Sequence, residues 1–148
     1  MKKNNEGFSL VELIVVIAIM AVLVGVLAPA YLRYVEKSRV STDNSALAEV
    51  ASAIKTAVAE EDVYADISSS TTLTVDKDGA ALTSTSSKLL AEVKDTVGEK
   101  VTFKSKVYKK QDVVFTINPG ASDGKVSIVQ NTYYKDQKDD GKSSYTYQ

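Results

Sequence analysis

From Leu13 to Leu32 the chain reads LIVVIAIMAVLVGVLAPAYL, with no charged residue between Glu12 and Arg33. As a helix these 20 residues rise roughly 30 Å, the hydrocarbon thickness of a bilayer. The segment is apolar all round, so it needs either lipid or complete burial. A chain of 148 residues has no interior large enough to bury it. The run therefore predicts a single membrane-spanning helix. Charge does not orient it. Lys2 and Lys3 on one side nearly balance Arg33, Lys37 and Arg39 on the other.

Three kinds of chain start this way: one with a cleavable secretory signal, one with a plain anchor, and one whose span serves in an assembly. Ala28-Pro29-Ala30 imitates the small-residue pattern of signal cleavage. Glu12 separates the three. A carboxylate at mid-span costs about 2.5–3.5 kcal/mol, less near the end. A secretory signal gains nothing from it, whereas an anchor tolerates it only as an edge residue. A subunit with a newly cut, buried amino terminus has a use for it.

Gly7-Phe8-Ser9-Leu10-Val11-Glu12-Leu13 resembles the type IV prepilin cleavage and methylation motif. That motif is a glycine, a phenylalanine, a hydroxyl residue, leucine, an apolar residue and glutamate, and every position matches. The short basic leader, the apolar run and Pro29 near its end extend the resemblance over the first fifth of the chain. The remainder carries no motif of that family.

The resemblance implies a structural role. Gly7 would precede the bond cut by a prepilin peptidase at the cytoplasmic face. Glycine suits a cleavage site because it lets the backbone extend and approach closely. Phe8 would become the first mature residue and be N-methylated. Glu12 would neutralise the Phe8 amine of a neighbouring subunit, where a missing partner leaves a costly buried charge. Gly25 and Pro29 would mark a segment that is helical in the membrane and unwinds locally in the filament. Further implied partners are other copies of the chain, a pilus assembly platform and its ATPase. The location would be the inner membrane as a single-pass precursor, then a surface filament. The plain alternatives are a helix-start carboxylate for Glu12 and a kink or span end for Pro29.

Composition narrows the rest. The chain has no Cys and no His. Disulfides, thiolate chemistry and the commonest general base and metal ligand are thereby removed. No phosphate-binding glycine loop or Gly-x-Ser-x-Gly nucleophile motif occurs. A formal net charge of −1 shows no basic excess for nucleic acid. No catalytic residues, cofactor or metal are expected. The lack of a disulfide-closed C-terminal loop suggests a Gram-positive source.

Beyond the span, Leu47, Val50, Ala51, Ile54, Ala57 and Val58 recur at helical spacing. Asp43, Asn44, Glu49, Ser52, Lys55 and Glu60 are assigned to the polar side. The predicted layout is a leader at 1–7, a membrane or filament-core helix at 8–34, an amphipathic continuation at 35–64 and a small β-rich head at 65–148. Strands are predicted at 71–75, 101–108, 113–117 and 126–130, with a short final one at 145–147. A tight turn at 76–79 and a helix at 86–97 stopped by Gly98 complete the head. The fold class is α+β: a long N-terminal helix on a small antiparallel sheet, type IV pilin-like.

Two weaker groups remain. Asp76 and Asp78, with Asp139 and Asp140, have oxygen ligands suited to calcium, but Asp-Lys-Asp-Gly lacks the EF-hand pattern and is ordinary turn chemistry. Tyr133, Tyr134, Tyr145 and Tyr147 form either an adhesive surface or sheet-edge aromatics packed on the body. The function expected is polymerisation into a surface filament for adhesion, motility or DNA uptake. The alternatives are a pseudopilin of a type II secretion or competence system and a membrane-tethered binding domain.

Overall fold

The computed structural model describes residues 7–67, 69–79, 81–120, 126–133 and 143–147. Met1 to Glu6 of the leader, the loop at 121–125, Tyr134, Asp139 and Asp140 lie outside them. The chain divides into two compact units, Met1–Val35 and Glu36–Gln148. One helix, α1 (Leu10–Val58), contributes to both.

In the first unit every residue from Gly7 to Tyr34 is exposed. The helix is long and apolar enough to cross a membrane. Pro29 lies inside it without ending it. With no N–H at Pro29, the Gly25 carbonyl four residues earlier lacks its helical donor.

The second unit has an ordinary core. Along α1, Val40, Leu47, Val50, Ile54 and Val58 are buried, a stripe at spacings of seven, three, four and four that keeps one face inward. After α1 come α2 (Glu61–Asp66), β1 (Thr71–Val75), β2 (Leu82–Ser84) and α3 (Ser87–Val97), then β3 (Val113–Pro119), β4 (Val126–Tyr133) and β5 (Ser143–Tyr147). The sheet order is β2-β1-β3-β4-β5, and each neighbouring pair is antiparallel. Leu73 pairs with Phe115 and Ile117 with Ile128. Alternation places Leu73, Val75, Val113, Phe115, Ile117 and Ile128 on the face that shares one buried core with α1. The class is therefore α+β, a long helix on a five-stranded antiparallel sheet, as the pattern predicts.

Local signals explain the head. Ser86 caps α3, its hydroxyl accepting from the Leu89 N–H at 3.1 Å. Gly98 ends that helix at φ 87°. Gly79 closes the turn after β1 at φ 66°. A Cβ there would sit 2.9 Å from the Thr102 backbone, so both conformation and space demand glycine.

Two expectations fail. Residues 101–107 are not a strand; they form a loop that ends in a 3-10 turn at Tyr108–Lys110. Val101, Phe103 and Ser105 alternate inward as a strand would. Yet the consecutive N–H groups of Lys104 and Ser105 both bond to Asp43, whereas a strand offers only alternate groups to one neighbour. Asp43 is the second correction. It is 1% exposed and sits in the apolar stripe, not on the polar face. The short edge strand β2 was not anticipated.

Candidate processing and assembly site

The chain enters α1 through Ser9. Its hydroxyl accepts from the Val11 N–H at 3.4 Å, and the Ser9 N–H donates to Glu12 Oε2 at 2.8 Å. The Leu13 N–H closes the first helical bond on the Ser9 carbonyl at 3.2 Å. This reciprocal arrangement is a capping box, and Ser-x-x-Glu before an apolar run is its sequence signature. The carboxylate thus has a local partner that the macrodipole reading alone did not supply. An ionised carboxylate has two oxygens and about four acceptor positions, so Oε1 remains open. Among the described residues, no salt bridge reaches Glu12.

Phe8 is 95% exposed, one residue outside the cap. A Cβ on Gly7 would meet nothing within 4 Å, and the same holds for Gly25. Neither glycine is required by packing within this chain. The residues singled out from sequence fall into two groups: Gly7, Phe8 and Glu12 around the helix start, and Gly25 with Pro29 some four turns further on. Gly25 and Pro29 are linked through the carbonyl that lacks its donor.

A second set of polar side chains, missed as a group, holds the loop at 101–110. Asp43 accepts from the Lys104 and Ser105 N–H groups at 2.9 and 2.8 Å. Glu36, one heptad earlier, accepts from the Lys106 N–H at 2.5 Å and pairs with Arg39 at 3.6 Å. The Tyr108 hydroxyl donates to Asn44 at 2.5 Å, and its ring stacks on Phe103 at 5.2 Å. The usable signal was an acid three residues after Val40 and four before Leu47.

Of the tyrosines, Tyr147 packs on the body: its ring lies 6.3 Å from Phe115, and its hydroxyl donates to buried Gln130 at 2.7 Å. Tyr145 stands edge-on to it at 4.8 Å and is 44% exposed. Asp76 accepts from the Asp78 N–H at 2.9 Å, closing its own turn. Among the described residues, no cluster of three or more acidic ligands gathers there or elsewhere.

Comparison with known proteins finds relatives through the same N-terminal segment. Residues 2–28 match the family described as the prokaryotic N-terminal methylation motif. The chain is 38% identical over 58 residues to a type IV major fimbrial protein FimA of Dichelobacter nodosus, covering 39% of this chain and 37% of that protein. A second protein of that name and organism is 38% identical over 56 residues, 38% of this chain and 36% of its own length. The chain thus spans little more than a third of the length of the curated relatives it matches. No solved structure matches. The prepilin-type N-terminal motif is present, and the chain is homologous to these fimbrial proteins in the matched part. Dichelobacter is Gram-negative, so the expected Gram-positive source finds no support.

Proposed function

We propose that the chain is the precursor of a structural subunit, cut after Gly7, N-methylated at Phe8 and polymerised into a type IV pilus-like surface filament. The observation that carries this is the Gly7–Glu12 motif at the capped start of a bilayer-length, fully exposed apolar helix. A prepilin peptidase is the partner for cleavage, and an assembly platform with its ATPase is the partner for polymerisation. Within this reading, residues 1–7 are the leader, residues 8–34 anchor the precursor and then line the filament core, and the head forms the filament exterior. Glu12 meets the Phe8 amine of a neighbour through the oxygen its own cap leaves open. Gly25 and Pro29 let the helix unwind where it is already short of a hydrogen bond.

The fimbrial relatives favour a pilus over a secretion pseudopilin, because they are named major fimbrial proteins. N-terminal mass analysis of the membrane-bound protein tests the processing step. The expected start is N-methylated Phe8. A start at Tyr31 means secretory cleavage after Ala28-Pro29-Ala30 and overturns the reading. Because the fold leaves Gly7 unconstrained, a bulky residue there should block maturation without unfolding the head. Electron microscopy of cells with and without the chain then tests for the filament.

A further inference from the structure

The head carries two unlike charged ends. Lys104, Lys106, Lys109 and Lys110 all project from the loop clamped by α1, and all four are exposed. Among the described residues, none of their side chains has a hydrogen bond or ion pair. The loop is not loose, because Asp43 and Glu36 hold its backbone and Tyr108 locks onto Asn44. Asp43 and Glu36 are spent on backbone N–H groups of the loop, Glu36 also pairing with Arg39, and the exposed Asp112 beside Lys110 accepts from the Lys77 N–H. Just beyond the other end of α1, Glu60, Glu61 and Asp62 are consecutive and exposed. None of these carboxylates has a partner among the described residues. Lys88 is near them, but it donates to the Asp62 carbonyl.

The helix fixes the spacing. From Glu36, which grips the loop, to Val58 at the helix end, α1 rises about 33 Å at 1.5 Å per residue. The Debye length at physiological salt is about 8 Å, so the two ends do not neutralise each other within one chain. Opposite charges at opposite ends of one body make a head-to-tail contact between copies. Such heterologous contacts build open helical assemblies when they do not close into rings.

We infer that the lysine loop of one subunit docks on the Glu60–Asp62 acids of an axially displaced second copy, forming an electrostatic contact between heads. The inference rests on the polymerisation reading and adds to it a specific head surface. A single exposed pair contributes little. Several in register, repeated at every subunit, set the axial step and make the filament sensitive to salt. Rigid presentation by the clamp lowers the ordering cost of the contact.

The test uses the full chain in its own cells, comparing sheared filament with membrane-bound mature protein. Two charge reversals are made: Lys104→Glu, Lys106→Glu, Lys109→Glu and Lys110→Glu together, and Glu60→Lys, Glu61→Lys and Asp62→Lys together. Each alone should leave the mature protein level unchanged and cut filament yield about tenfold or more, since like charges then face each other. Both reversals in one chain restore complementarity and should restore yield. A combined variant as deficient as the single ones overturns the inference, as does normal yield from either single reversal. If filament yield stays normal but the lysine variant loses binding to a double-stranded DNA probe, the loop serves a polyanion instead. A wild-type chain that forms no filament overturns the polymerisation reading as well as this contact.

Discussion

Replacing Asp43 with alanine removes one carboxylate that holds two backbone donors. Asp43 and Ser105 are 1% and 0% exposed, so water cannot substitute at the Ser105 N–H. Hydrogen bonds to a charged group contribute about 1.5–3 kcal/mol each, and an orphaned buried donor costs about 1–3 kcal/mol. Lys104 lies at the surface, where solvent recovers part of its loss. The net cost is about 3 kcal/mol, a large share of the about 5–15 kcal/mol that holds a domain together. For a body of this size each kcal/mol lowers Tm by about 4 °C, so the mature protein in detergent should melt about 12 °C lower. Near-UV circular dichroism of the tyrosines follows the head, because Tyr108 unstacks from Phe103 when the loop is released. Asp43→Asn, which keeps one acceptor oxygen, should fall between. A drop below about 4 °C for Asp43→Ala would show that the loop is held by its apolar residues alone, refuting the clamp.

Gly79→Ala should lower stability by about 2 kcal/mol or more in the same melt, since it adds left-handed strain to a 2.9 Å approach to Thr102. Unchanged stability would mean that the turn rearranges freely. Tyr147→Phe should cost about 1 kcal/mol by leaving the buried Gln130 oxygen without its hydroxyl donor; equal melting of the two proteins would remove that bond from the account. In the filament, a density map should show lost helical hydrogen bonds between Gly25 and Pro29. A regular helix through that stretch in the assembled state would refute local unwinding.

How much of this was legible in the sequence depended on whether a signal was local. The turn at 76–79 and the Gly98 stop follow from residues a few positions apart. The buried face of β3 follows from the simple alternation of Val113, Phe115 and Ile117. The 101–107 loop resisted because its alternation is that of a strand, and only a partner more than sixty residues away decides otherwise. Asp43 was misplaced for the same reason, since a carboxylate in an apolar stripe reads as an irregularity until its backbone donors are known. β2 is three residues long and takes its stability from pairing with β1, which no window that short reveals. At the helix start the motif was visible in full. The capping box is also written there as Ser9-x-x-Glu12, a spacing that neither the charge nor the macrodipole reading of Glu12 uses.

On the proposed reading Glu12 has two duties, a cap and a charge partner, that one substitution can separate. As a cap residue it needs only an oxygen that accepts from the Ser9 N–H, and glutamine supplies one equally well. As partner to a neighbour's Phe8 amine it needs a negative charge, which glutamine lacks. Cleavage after Gly7 would leave Ser9 as the second mature residue, so the cap survives processing and keeps the carboxylate beside the new terminus. Glu12→Gln should therefore preserve the helix start, membrane insertion and cleavage, yet stop assembly, because the neighbour's amine would be buried without a counter-charge. Glu12→Val should stop assembly too and also lose the cap, at a further cost of about 1 kcal/mol in helix stability. Co-expression with the wild type should bring some of either variant into filaments, since a variant subunit still offers its own amine to a wild-type carboxylate. The measurement is the ratio of sheared filament to membrane-bound mature protein. Normal filament yield from Glu12→Gln would show that the residue acts through its cap alone, and the charge-pairing mechanism would be wrong.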